Sequence, residues 1–110
     1  MDIQNTYKYH DVAESSESIR RRLRKYFESQ PISKAWLFGS RSRGDYREDS
    51  DYDILVSLDD NVGLFKYAAI MSDLEELLNK AVDLVSETSL LPWVKDEVEK
   101  EKVLIYERKA

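Results

Sequence analysis

The sequence has 110 residues, 42% of them hydrophobic and 35% charged, which predicts one globular domain over residues 1–110. It contains no cysteine and a single histidine, so thiol nucleophiles and cysteine- or histidine-rich metal sites are excluded, and oxygen ligands remain. The net charge of −5 disfavours direct nucleic-acid binding. No apolar run approaches the roughly 20 residues that cross a bilayer, so we expect a cytoplasmic protein without membrane contact.

The first half of the chain predicts a helix followed by a buried strand. Apolar side chains recur every four residues within 16–28, as in an amphipathic helix, and Pro31 ends this segment. The basic run 20–25 spreads over the opposite side of that helix, so we expect a solvated face. The apolar run 35–38 stops at Gly39, which indicates a buried strand that enters a tight turn.

The second half predicts three further strands and two further helices. Strand-forming residues occupy 52–58, 81–85 and 102–106, and Pro92 marks the first turn of a short helix before the last strand. An apolar stripe predicts a helix over 64–79. Its predicted core side carries Leu64, Tyr67, Ala68, Met71, Leu74 and Leu78. We therefore expect an α/β (α+β) domain with a single small mixed β-sheet of about four strands and helices packed on it.

The two tryptophans and the single histidine are expected to have structural rather than chemical roles. Trp36 and Trp93 each lie in an apolar run, which favours a place in the core over stacking on a nucleotide. His10 is expected to be exposed, and no chemical role is assigned to it.

Two familiar motifs are nearly matched between the first two strands, and both fail. Gly39 and Gly44 have the spacing of a phosphate-binding P-loop, but Asp45 stands where that loop needs a lysine. The alternating aspartates of 49–53 resemble the start of a calcium-binding EF-hand loop, but Ile54 occupies its obligatory glycine position.

The same segment remains a candidate nucleotide-binding turn. A glycine and serine turn at a strand end can direct backbone N–H groups at an anion, and the sequence places Gly39 and Ser40 there. Arg41 and Arg43 follow closely and could neutralise phosphate charge. We predict that these four residues bind the nucleotide.

Carboxylates provide the candidate metal ligands and catalytic groups. Asp51 and Asp53 are two residues apart, so the strand period places them on one face. Asp83 interrupts the apolar run 81–85, which we expect to be a buried strand in which an unpaired carboxylate is costly. If the two strands are neighbours, the carboxylates converge and suit two Mg²⁺ ions that bridge them to a triphosphate.

The combined pattern resembles the minimal nucleotidyltransferase family of the DNA polymerase beta superfamily. Gly39-Ser40 is followed by ten residues, then by Asp51-Tyr-Asp53, and thirty residues later by Asp83, and the likeness covers about residues 16–107. The resemblance implies that Gly39 and Ser40 hold the β- and γ-phosphates of ATP. It also implies that Asp51 and Asp53 bind both metals, and that Asp83 binds the catalytic metal and helps deprotonate the attacking hydroxyl.

The resemblance further implies a partner and a reaction. Small members of this family act as antitoxins of HEPN-domain RNase toxins and transfer AMP from ATP to a toxin tyrosine. We therefore expect a heteromeric complex with a HEPN toxin and Mg²⁺-dependent protein adenylylation. Two alternatives stay open: a binding module that neutralises its partner by occlusion, and the catalytic subunit of a split nucleotidyltransferase for a small molecule such as an antibiotic.

Overall fold

The computed structural model describes residues 16–109 as alternating helices and strands. In chain order they are α1 (Ser16–Glu28), β1 (Ile32–Phe38), α2 (Ser40–Arg43), β2 (Tyr52–Leu58), α3 (Leu64–Leu78), β3 (Val82–Ser86), a 3-10 turn (Glu87–Ser89), α4 (Pro92–Glu101) and β4 (Val103–Glu107). The predicted elements are all present. β1 begins three residues before the apolar run suggested, because its backbone pairing with β2 continues to Ile32 through two polar residues. His10 lies outside the described residues.

The strands form one mixed sheet in the order β3-β2-β1-β4. β1 runs antiparallel to both of its neighbours, whereas β2 and β3 are parallel. α3 connects these parallel strands, as a parallel pair requires a crossover. The predicted fold class, a four-stranded mixed sheet with helices packed on it, is confirmed.

The two faces of the sheet have different covers. α1 and α3 pack on one face, where Leu23, Phe27 and Leu74 are fully buried. On the other face α4 contributes Val98 to a smaller cluster with Trp36. Because side chains alternate along a strand, successive residues of β2 point to these two faces in turn.

The core side of α3 differs from the predicted stripe at its start. Leu64 is 79% exposed, Ala68 is also exposed, and the fully buried Ile70 was not predicted. The buried residues of α3 are Ile70, Leu74 and Leu78, which lie in its second half. The first turn of α3 reaches the sheet through Tyr67, whose hydroxyl donates to the Leu84 carbonyl, whereas Leu64 and Ala68 are directed to solvent.

The prediction for the second tryptophan is wrong. Trp36 is buried as expected, but Trp93 is 71% exposed. α4 contacts the sheet through Val94 and Val98, which lie four residues apart on one side of the helix. One residue corresponds to about 100° of rotation around a helix. Trp93 therefore points away from the side on which Val94 packs.

The expectation that Asp83 is buried is also wrong. Val82 and Leu84 face the core beneath α3, and Asp83 points to the opposite face and is exposed. β3 is an edge strand at the end of the sheet, and α4 does not cover this position. The Asp83 carboxylate is therefore hydrated, and the cost of burial that its apolar neighbours in sequence suggested does not arise.

The basic run of α1 lies largely at the surface. Arg21, Arg22 and Lys25 are exposed, as the helical spacing predicted. The Arg22 guanidinium also donates a hydrogen bond to the Leu77 carbonyl at 2.9 Å, which satisfies an acceptor in the last turn of α3. Among the described helices, none has the length and apolarity needed to cross a membrane.

Candidate active site

The turn after β1 depends on a glycine with an unusual backbone conformation. Gly39 has φ 72° and ψ −153°, a combination that is essentially restricted to glycine. α2 follows directly, and the Ser42 and Arg43 amides both donate to the Gly39 carbonyl. The first amides of a helical turn have no acceptor within it, so this turn offers N–H donors suited to an anion. Ser40, the first residue of α2, is half-buried beside them.

The turn and the predicted metal ligands are directly adjacent. Phe38 pairs with Asp53 across β1 and β2, so Gly39 lies beside that carboxylate. A methyl group at Gly39 would overlap the Asp53 carboxylate oxygen. Gly39 therefore serves the site twice, by its backbone conformation and by leaving room for Asp53.

The sheet register brings the acids together. Asp53 and Asp83 are direct partners on the parallel strands β2 and β3, which lie about 4.8 Å apart in a sheet. Both point to the face that carries α4. Asp51 comes directly before β2, and its negative charge acts on Asp53. The predicted convergence thus rests on the α3 crossover, which makes β3 the neighbour of β2.

Mutual repulsion of these acids affects the pKa of Asp53. Burial raises the pKa of the Asp53 carboxyl, and the negative charges of Asp83 and Asp51 raise it further. The positive charge of Arg43 acts in the opposite direction. The ionised form of Asp53 is therefore disfavoured, and a cation held between these carboxylates would relieve the cost.

The donor set fits a hard divalent cation in its chemistry. Carboxylate oxygens are the ligands that Mg²⁺ prefers in proteins, and Mg²⁺ commonly combines one or two of them with substrate phosphates. Within residues 16–109, no three aspartate, glutamate or histidine side chains stand close enough to hold a metal ion by themselves. Asp51, Asp53 and Asp83 would hold the ion only together with oxygens from a bound triphosphate.

Arg43 lies on the acid side of the turn. Its guanidinium pairs with Asp45 at 3.2 Å and with Glu101, at the end of α4, at 3.0 Å. These two partners are also why the pKa of Arg43 is raised, with the Asp45 hydrogen bond as the largest cause. Its influence on Asp53 shows that its charge reaches the acids.

The Arg41 guanidinium lies away from the acids. It lies between the rings of Tyr46 and Tyr52, 4.3 and 4.1 Å from their centroids. Tyr52 belongs to the core beneath α1 and α3, opposite the face of Asp53. The structure therefore does not bring the Arg41 guanidinium to the acids, and a nucleotide contact for Arg41 stays a prediction.

A cavity of about 560 Å³ lies on that opposite side, between α1, the end of α3 and the segment after α2. Arg20, Arg41, Tyr46 and Tyr52 contribute to its lining. Sequence reasoning missed the stack of Arg41 between these two tyrosines. The available signal was Tyr52 itself, because a residue between two aspartates that share a face must point to the other face.

The family of the chain follows from comparison with known proteins. The model of the family described as polymerase beta, nucleotidyltransferase matches residues 21–110. A protein adenylyltransferase MntA of Thermococcus cleftensis is 38% identical over 96 residues, which covers 84% of this chain and 94% of the relative. A candidate protein adenylyltransferase of Methanocaldococcus jannaschii is 33% identical over 85 residues, 77% of this chain and 91% of that protein. The chain belongs to the polymerase beta nucleotidyltransferase family.

Solved structures share the fold. A candidate minimal nucleotidyltransferase superimposes with a TM-score of 0.59 at 32% identity and covers 89% of this chain and 91% of its own. A chain of the Shewanella oneidensis complex between a tri-AMPylated HEPN toxin and its MNT antitoxin has a TM-score of 0.66 at 20% identity, covering 86% of this chain and 74% of that one. The family prediction and the assignment as a nucleotidyltransferase enzyme are confirmed.

Proposed function

We propose that this chain is a Mg²⁺-dependent protein adenylyltransferase that transfers AMP from ATP to a hydroxyl group of a partner protein. The observation that carries the proposal is the juxtaposition of Gly39 with Asp53 and of Asp53 with Asp83 on the open face of the sheet. The relatives described as protein adenylyltransferases, which match most of the chain, support the choice of a protein as acceptor.

Each residue of the site has a proposed task. Gly39, Ser40 and Arg43 hold the β- and γ-phosphates through backbone N–H groups, a hydroxyl and a guanidinium. Asp51, Asp53 and Asp83 hold Mg²⁺, which when bound neutralises the triphosphate charge and polarises the α-phosphate. Arg43 must exchange contacts with Asp45 or Glu101 for contacts with phosphate, and its exposed position allows this.

The transfer itself is a displacement at phosphorus. The acceptor oxygen forms a bond to the α-phosphorus, the bond to the bridging oxygen breaks, and pyrophosphate leaves with that electron pair. Asp83 is proposed to receive the hydroxyl proton, since its carboxylate is exposed on the edge strand beside Asp53.

The proposed acceptor is a tyrosine of a HEPN-domain toxin, and the proposed role is that of its antitoxin. Support comes from the Shewanella oneidensis complex, whose fold this chain shares and whose toxin is described as tri-AMPylated. An added adenylate brings bulk and negative charge. Placed near the toxin's RNA site, it would repel the RNA phosphates and block the toxin.

Intact-mass spectrometry of a HEPN-domain protein encoded beside this chain tests the proposal. After incubation with Mg-ATP, we expect a mass gain of one or more adenylates with the natural chain and none with Asp51→Asn/Asp53→Asn. A stable complex without any mass gain would contradict the proposal and favour inhibition by occlusion. ATP consumption that needs an added small-molecule acceptor would instead identify a split small-molecule nucleotidyltransferase.

A further inference from the structure

Two arginines hold the segment between the glycine turn and Asp51: Arg43 pairs with Asp45 and Glu101 near its start, and Arg41 binds its end. Residues 43–49 are all exposed, so packing contributes little to their position. The Arg41 guanidinium donates through Nη2 to the carbonyl of Ser50 at 2.7 Å and, more weakly, to that of Glu48 at 3.4 Å. Local hydrogen bonds between Arg47 and Ser50 close the end of the segment on itself.

The contact with Ser50 is important because Asp51 is the next residue in the chain. The Ser50 carbonyl belongs to the peptide bond that leads into Asp51, and Arg41 itself comes directly after Ser40 in α2. One guanidinium therefore connects the turn proposed to hold phosphates with the backbone that carries a proposed metal ligand. These two parts are separated by ten residues along the chain.

The surroundings of Arg41 keep its guanidinium in this place. The Tyr46 and Tyr52 rings lie on it at 4.3 and 4.1 Å, an arrangement that suits the flat, delocalised charge of arginine. Its Nε is enclosed and has no hydrogen-bond partner within the described part of the chain. Tyr52 anchors the stack, since its ring is buried in the core on the side away from the acids.

We propose that Arg41 is a positioning residue, which holds Asp51 and the Gly39–Ser40 turn in register from the opposite face of β2 without touching the nucleotide. This inference rests on the proposed function for the meaning of the site. The arrangement of Arg41 itself stands on its contacts with Tyr46, Tyr52 and Ser50.

The test compares Arg41→Ala, Arg41→Lys and the control Arg20→Ala, which removes a charge from the same cavity without a contact to the segment. The first readout is amide hydrogen exchange of residues 44–51 in the nucleotide-free protein. We expect faster exchange in both Arg41 variants, since lysine lacks the planar stack and the fork of donors, and no change in Arg20→Ala. This readout requires neither nucleotide nor acceptor.

The second readout is the kinetics of transfer. A displaced Asp51 should lower kcat roughly 10- to 100-fold in Arg41→Ala, with a smaller change in KM for ATP. Tyr46→Ala should reproduce part of this loss and Tyr46→Phe should not, because the ring rather than its hydroxyl contacts Arg41. Tyr46 is exposed, so both variants of it should fold even if Arg41→Ala does not.

Three outcomes would overturn the proposal. Unchanged exchange of residues 44–51 in Arg41→Ala would show that the guanidinium does not hold the segment. A rise in KM for ATP with unchanged kcat would identify Arg41 as a phosphate ligand. A kcat of Tyr46→Ala equal to that of the natural chain would show that the stack of Arg41 on Tyr46 is not needed. If the natural chain transfers nothing to a HEPN-domain protein, the exchange result still stands and separates the failure of the proposed function from the failure of this inference.

Discussion

The two faces of β2 are covered to different extents, and the difference determines where chemistry can occur. Toward α1 and α3, Ile54 and Val56 are completely buried. Toward α4, Leu55 is enclosed by Trp36 and Val98, but Asp53, two residues earlier, remains partly accessible beside Asp83. A substrate needs space and its ligands need solvent access, so the site lies where the helical cover ends.

The largest expected effect concerns Asp83 on the open face. Asp83→Asn removes a proposed metal ligand and proton acceptor, so we expect transfer to fall about a thousandfold or more, as the loss of several kcal/mol of charge stabilisation implies. The fold should persist, since Asp83 is exposed on an edge strand. Steady-state transfer and a thermal melt measure both. If Asp83→Asn lost activity because it unfolded, Asp83 would have a structural role instead.

Adjacent residues of β2 allow the two cores to be compared directly. Ile54 and Leu55 are 0% and 1% exposed and face opposite sides of the sheet. Ile54→Ala should destabilise the protein by about 3–5 kcal/mol, and Leu55→Ala by about 2–3 kcal/mol, because the smaller cluster around Leu55 can relax more easily. Urea unfolding measures both values. Equal losses would contradict the idea that the α4 side is the weaker layer.

The two glycines of the turn separate backbone strain from crowding. Gly39 and Gly44 both have positive φ, 72° and 86°, but only Gly39 lies against Asp53. Each alanine substitution should cost about 1–3 kcal/mol of stability. Gly39→Ala should also displace the Asp53 carboxylate and lower transfer far more than Gly44→Ala does. Equal activity in the two variants would show that the contact with Asp53 is unimportant.

The smallest effect concerns the burial of Asp53 and its repulsion by Asp83 and Asp51. Its pKa is raised in the folded protein above the ordinary 3.8, so ionisation destabilises the fold as pH rises through that range. Asp53→Asn should therefore raise the Tm of the metal-free protein at pH 7. Below pH 3.8 the carboxyl is protonated in both states, and the advantage should disappear.

Thermal melts at pH 7 and near pH 3 check this prediction. Mg-ATP should raise the Tm of the natural chain at pH 7, because a ligand that binds only the folded state adds about 1.4 kcal/mol per tenfold excess over its Kd. The same addition should have less effect on Asp53→Asn. A lower Tm of metal-free Asp53→Asn at pH 7 would mean that the carboxylate makes a stabilising contact that outweighs the repulsion.

The sequence alone determined the elements and the composition of the candidate site. The bounds of α1 and β2 are those that apolar periodicity indicated, because both carry a strong local repeat. The pattern of Gly39-Ser40, Asp51, Asp53 and Asp83 resembles that of minimal nucleotidyltransferases, and this resemblance predicted the family. Such a pattern is tied to the chemistry of a metal-bound triphosphate, which requires these residue types together.

Only the tertiary structure decided which faces are covered. Periodicity states which side chains share a face, but it does not state how far a neighbouring helix extends over that face. For this reason Leu64 and Trp93 were predicted to be buried and are exposed, and Asp83 was assigned to a buried strand but lies at an open edge. The position of Arg41 has the same origin: its residue type suits phosphate, but the turn of α2 directs its guanidinium to the opposite side of β2.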